Sequence, residues 1–206
     1  MVKQSLKNTL KAICLHLFRV LKHKYYVFIY CCKLGIPWQG ITHDLSKFSW
    51  IEFSEAIKFY DPTKSPIAVA KEKQGYSMAW IHHKGHNPHH CEYWADSLST
   101  NPKGLQMPNK YVKELIADYL GAGKVYFGRS FTYEKELEYW KKLKTQILIH
   151  PTTAETVTTV FELLTLNAPD LVFKAIKSNE GDVYKFAQSF TSFFQQVKST
   201  SWQNLK

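Results

Sequence analysis

The chain has 206 residues and a mass of 24.0 kDa, with 45% apolar and 21% charged residues, enough for one domain with a real core and too apolar for a disordered segment. Lys and Arg outnumber Asp and Glu by 27 to 17, giving a net charge of +10 and a pI near 9.3, which favours anionic partners such as nucleotide, nucleic acid or acidic lipid. Four cysteines without a CxxC pair argue against a disulfide framework or a zinc knuckle and for a reducing cytosol.

Helical periodicity dominates in chain order, so the expected class is all-α. Leu6, Leu10, Ile13, Leu17 and Val20 recur at spacings of three and four, and an apolar run from Tyr25 to Leu34 extends them into one long helix ending at Gly35 and Pro37. His16 and Arg19 interrupt the N-terminal run, and no uncharged stretch reaches the ~18 residues of a membrane span. Ser49 and Glu52 have capping-box spacing ahead of Phe53, Ala56, Ile57 and Tyr60. Ser65-Pro66 starts a further helix, Tyr76 to Lys84 another, and Gly85 to Pro88 reads as a break. Asn109 is the expected cap of a segment burying Tyr111, Val112, Leu115, Ile116 and Tyr119, and Leu137, Trp140 and Leu143 mark the next.

Residues 1–60 hold nine Lys/Arg against three Asp/Glu, residues 61–150 thirteen against nine, and residues 151–206 five against five. All nine histidines lie at or before His150, which places an expected boundary near Pro151 between a domain over 1–150 and a helical extension over 151–206, serving packing or oligomerisation. In the extension Thr152 and Glu155 have capping-box spacing, Val157, Val160, Phe161 and Leu164 share a face, and Phe186, Phe190, Phe193, Phe194 and Val197 form a further stripe.

The chemistry-bearing residues fall in three clusters. His43-Asp44 offers an imidazole nitrogen and a carboxylate oxygen from adjacent positions, a mixed pair suited to a borderline divalent metal. His82, His83, His86, His89 and His90 put five imidazoles into nine residues, flanked by Trp80, Tyr93 and Trp94, which argue against a freely solvated loop. Glu114 and Asp118 share a helix face at i,i+4 and repel unless something positive intervenes, a role open to Lys110 and Lys113 as exposed neighbours. His23 precedes the His-Asp pair by twenty residues.

The order His23, His43-Asp44, histidine cluster, Asp118 resembles the HD-domain superfamily of metal-dependent phosphohydrolases. The runs Gln39-Gly40-Ile41-Thr42-His43-Asp44-Leu45-Ser46-Lys47-Phe48-Ser49 and His82-His83-Lys84-Gly85-His86-Asn87-Pro88-His89-His90-Cys91-Glu92-Tyr93-Trp94 look, more closely, like an uncharacterised bacterial and phage family of unknown function. The superfamily resemblance implies an HD-domain-like helical bundle in which His23, His43, Asp44 and Asp118 hold a first ion and His83, His89 or His90 help hold a second, with Asp44 bridging. It implies one or two divalent ions (Mn, Fe, Co, Ni or Zn) and hydrolysis of a nucleotide or related phosphate ester by activated water. Asp44 and Lys47 are then the catalytic residues, with Lys47, Lys84, His82 and His86 toward an anionic substrate. A di-iron oxygenase on the same scaffold, or a basic helical protein binding nucleic acid or a partner without turnover, are the alternatives. A cytoplasmic protein without membrane attachment, with homo-oligomerisation open, completes the expectation.

Overall fold

A computed structural model describes residues 2–96, 103–166, 168–178 and 181–192, and the fold is all-α, as the periodicity predicts. The long α1 (Val2–Lys33) is followed by α2 (Pro37–Thr42), a 3-10 turn over Leu45–Phe48, α3 (Trp50–Lys58), α4 (Pro66–Gln74), α5 (Met78–His86) and a 3-10 turn over Cys91–Trp94. A minimal antiparallel ladder sets Ala95 of β1 (Ala95–Asp96) opposite Gly104 of β2 (Lys103–Gly104). Then come α6 (Asn109–Phe127), α7 (Tyr133–Leu143), α8 (Pro151–Leu164), α9 (Pro169–Ser178) and a helical stretch over 183–192. Phe193, Phe194 and Val197 lie outside the described residues.

The predicted single helix is α1, which stops where Gly35 takes φ +75°. Its buried seam differs from the expected stripe: His16, Val20, His23, Val27, Tyr30 and Leu34 are buried, whereas Leu6 and Leu10 are exposed. The seam is set by α6, which packs along α1. A Cβ on Gly121 would stand 2.6 Å from Val27 Cγ2, so the two helices approach closely enough only because that residue is glycine. Asp118 and His23 lie one turn before this contact on their respective helices. In the same way a Cβ on Gly40 would meet the Phe28 backbone at 2.9 Å, so α2 lies flat on α1 and its C-terminal end returns His43 to His23.

Several expected helix ends are corrected. Ser49 does cap α3, accepting from the Glu52 amide at 3.4 Å, but the Glu52 side chain turns to His82 and His83 instead of back to the cap. His150, not Thr152, caps α8 through Nδ1, because Pro151 takes the first helical position. Asn109 is the first residue of α6, and its side chain holds Gly181 O and Val183 N. Gly85 continues α5 instead of breaking it. Lys113 is buried, donating to Gly181 O at 2.8 Å.

The core gathers Val27 and Cys31 of α1 with Leu34 just beyond its end, Val112, Leu115, Ile116 and Leu120 of α6, Trp140 of α7, and Val157, Val160, Phe161 and Leu164 of α8. Residues on both sides of Pro151 share this cluster. Trp140 is wholly buried, donates Nε1–H to Thr158 Oγ1 at 2.9 Å and meets Phe161 edge-on.

Candidate metal centre

The 32-residue α1 supplies His23, and the turn after α2 supplies His43 and Asp44. Asp44 has φ 54° and ψ 30°, the left-handed conformation that Asp tolerates better than most residues. That twist lets two consecutive side chains reach one point. Lys24, next to His23 on α1, donates Nζ–H to the carbonyls of Ile41 and His43 and so fixes the turn. α5 supplies His83, and the loop after it carries His89 and His90. The loop is tied down by Asn87, whose Nδ2 donates to Ser46 Oγ at 2.8 Å and His83 O at 2.7 Å, and by Trp94 Nε1–H on Pro88 O at 2.6 Å. α6 supplies Glu114 and Asp118.

Two groups of donor atoms form around Asp44. In the first, His23 Nε2 is 3.0 Å from Asp118 Oδ1, and His43 Nε2 is 3.1 Å from Asp44 Oδ2, 3.3 Å from His23 Nε2 and 3.4 Å from Asp118 Oδ1. In the second, Asp44 Oδ1 is 3.3 Å from His83 Nε2 and 3.5 Å from His89 Nε2, with His90 completing the group. Donors held at about 2.0–2.2 Å around one divalent ion stand roughly 3.0–3.5 Å from one another. The spacings match. Both Asp44 oxygens, His89 Nε2 and His90 Nε2 are buried without a hydrogen-bond partner among the described residues, a costly arrangement for a chain with nothing to bind there. Lys47 Nζ approaches Asp44 Oδ2 at 2.6 Å as an ion pair without hydrogen-bond alignment, and its side chain keeps 28% of its surface open.

Charge balance points the same way. Burial alone would raise the Asp44 carboxyl, yet His43, Lys47 and His83 hold it well below the usual range. Burial likewise opposes charge on His43, but the charge of Asp44 first, and the close carboxylates of Asp118 and Glu114, raise its pKa well above the ordinary histidine value. His90 goes the other way: burial and then the neighbouring His89 push it well below, leaving a neutral ring with a free lone pair. Four carboxylates, Asp44, Glu52, Glu114 and Asp118, thus surround a site that demands positive charge, which a divalent cation supplies.

The structure therefore brings together His23, His43, Asp44, Lys47, His83, His89, His90 and Asp118 among the sequence-predicted residues. It sets His82, His86 and Lys84 apart from both ion-holding groups: His82 is half-buried against Glu52, and exposed His86 stacks on it at 4.0 Å. Sequence reasoning missed the roles of two residues. Glu52 accepts from His83 Nδ1 at 2.8 Å, and Glu114 accepts from His43 Nδ1 at 3.0 Å. The signal for Glu114 was its i,i+4 relation to Asp118, while the capping-box reading of Glu52 concealed the second.

Fold and site together define an all-α protein with a buried histidine and carboxylate centre able to hold metal ions. The chain belongs to a family of unknown function (DUF5662), whose match spans residues 13–163, from α1 through most of α8. Comparison with curated proteins and with solved structures found no match. Among the described residues no helix is long and apolar enough to cross a membrane.

Proposed function

We propose that the protein is a metal-dependent phosphohydrolase of the HD type, acting on a nucleotide or related phosphate ester. The observation that carries this reading is Asp44, whose two buried oxygens accept no hydrogen bond from the described residues and face His23, His43 and Asp118 on one side and His83, His89 and His90 on the other. Such a bridging carboxylate suits two adjacent divalent ions, which when bound supply an activated water and neutralise charge on phosphoryl oxygens. The chain's own part is to hold the donors rigid from five elements, to exclude water by burial and to present Lys47 at the partly open rim, where its ammonium can meet a phosphate oxygen. Burial disfavours charge on Lys47, but Asp44 and Asp118 outweigh this and keep it protonated. The net charge of +10 draws an anionic substrate toward the rim. Cys14, Cys31, Cys32 and Cys91 are all free thiols, which supports a cytoplasmic setting.

The donor set, with histidines at both ion positions, also suits two irons, and a di-iron oxygenase is the second reading. Metal content per chain, measured by plasma mass spectrometry on protein purified without a polyhistidine tag, followed by phosphate release from a nucleotide panel and oxygen uptake, separates the readings. One or two manganese, cobalt, nickel or zinc ions with phosphate release is the expected result. Two irons with oxygen consumption would replace it by the oxygenase. A chain that neither retains nor takes up ions would overturn both and leave a basic protein that binds nucleic acid or a partner without turnover.

A further inference from the structure

Glu114 is buried on α6, one turn before Asp118, outside the two donor groups that include Asp44, and with His43 and His89 it forms a third cluster of close donor atoms. Its single oxygen Oε1 lies 3.0 Å from His43 Nδ1 and 3.2 Å from His89 Nδ1. Those two rings belong to different groups: His43 to the one with His23 and Asp118, His89 to the one with His83 and His90. With Nδ1 of His43 hydrogen-bonded to this oxygen and Nδ1 of His89 facing it at 3.2 Å, Nε2 of each ring is the atom left to coordinate. His43 Nε2 points to Asp44 Oδ2 at 3.1 Å, and His89 Nε2 to Asp44 Oδ1 at 3.5 Å. Glu52 offers the contrast. Its Oε2 accepts from His83 Nδ1 at 2.8 Å, while Oε1 accepts from His82 Nδ1 at 2.7 Å, outside the donor groups. Glu52 thus serves one ion position and Glu114 both.

Resting on the metal reading above, we infer that Glu114 is a positioning residue common to the two ion positions, fixing tautomer and aim of one histidine ligand in each. A carboxylate that accepts the far nitrogen of a ligating imidazole raises its basicity and locks its orientation, and losing such a partner weakens metal affinity by about 10- to 100-fold. Asp44 would join the two positions as a shared ligand, and Glu114 would join them from behind the ligands, so that one side chain touching neither ion would tune affinity at both.

The test is titration of chelator-stripped full-length protein with Zn2+, counting bound ions by native mass spectrometry and measuring affinities by calorimetry. Wild type is expected to take two ions. Glu114→Gln should weaken both by about 10- to 100-fold, whereas Glu52→Gln should weaken one. Loss at one position only, or at neither, in Glu114→Gln overturns the inference. Wild type that takes up no zinc overturns the metal reading itself, a distinct result. Should Glu114→Gln lose its helical circular dichroism, long-range 15N–1H spectra of zinc-loaded wild type decide. Nδ1–H on both His43 and His89 supports the assignment, and zinc on either Nδ1 overturns it.

Discussion

The two sides of α6 live in opposite environments. Glu114 and Asp118 meet three histidines within 3.5 Å, whereas Val112, Leu115, Ile116 and Leu120 join a cluster containing Trp140, Val157 and Phe161. The apolar side gains from burial whatever the pH or ion content. The polar side gains only when each buried charge meets its opposite, and a carboxylate or imidazole left without one costs more than a lost contact. Rigidity of the centre is therefore supplied by the apolar half, and donor atoms by the polar half.

The contrast breaks most visibly at Trp140, the largest fully buried side chain among the described residues. Trp140→Ala removes an indole from a site with no polar function other than one hydrogen bond to Thr158, and should cost about 3–5 kcal/mol. Because it lies in the apolar half, the ions bound per folded chain should stay at the wild-type value. Metal content measured below the unfolding transition checks this, and a variant both folded and metal-free would show that the halves are not separable.

Asp44→Asn attacks the other half. Asparagine accepts the left-handed φ of 54° as aspartate does, so the change isolates charge from backbone strain. On the proposed reading Asp44 is a ligand shared by both ion positions, and its removal should lower ion affinity at both by at least about a hundredfold, more than loss of an outer hydrogen bond, with helicity by circular dichroism nearly unchanged. Retained affinity at both positions would exclude Asp44 as a shared ligand.

Gly121→Ala tests how the apolar packing aims the polar side. The new methyl would fall 2.6 Å from Val27 Cγ2, forcing α1 and α6 apart at a cost of about 1–3 kcal/mol. One turn away, His23 and Asp118 stand 3.0 Å apart, so the same displacement should weaken the ion position they share. A thermal shift without any change in zinc affinity would show that the turn between contact and site absorbs the strain.

The all-α class, the single long α1 and the gathering of His43, Asp44 and Asp118 were legible in the sequence, because a 3.6-residue period and a chemically unusual residue order survive without coordinates. What escaped was relational. Leu6 and Leu10 have the spacing of a buried stripe, yet burial is decided by where α6 touches α1, and Gly121 against Val27 sets that contact. The five clustered histidines could not be ranked by spacing, since continuation of α5 through Gly85 turns His83 inward and leaves His86 exposed. Glu52 has the position of a capping partner, and only the approach of α5 to α3 makes it a partner of histidines instead.

The smallest predicted effect lies where the two halves meet. Glu136 on α7 is buried against α6, where a Cβ on Gly123 would overlap its Oε1 at 1.9 Å. Burial first, and repulsion from Asp118 second, raise its pKa from 4.5 to about 7. The folded chain thus prefers the protonated acid, so the stability contributed is fully present below pH 4.5, the unfolded value, and is lost as pH rises through about 7. Glu136→Gln keeps the shape and removes the ionisation. The full move from 4.5 to about 7 is worth about 3.4 kcal/mol, and solvent screening of the ionised group roughly halves it, so the variant should stabilise the protein by about 1.5 kcal/mol at pH 8, roughly 3–6 °C in Tm, and leave pH 4 unchanged. Because part of the penalty comes from Asp118, saturating the chain with a divalent ion should shrink the gain at pH 8. An equal shift at both pH values would assign the effect to packing instead of charge. A gain indifferent to the ion would show that Glu136 answers to the apolar half alone.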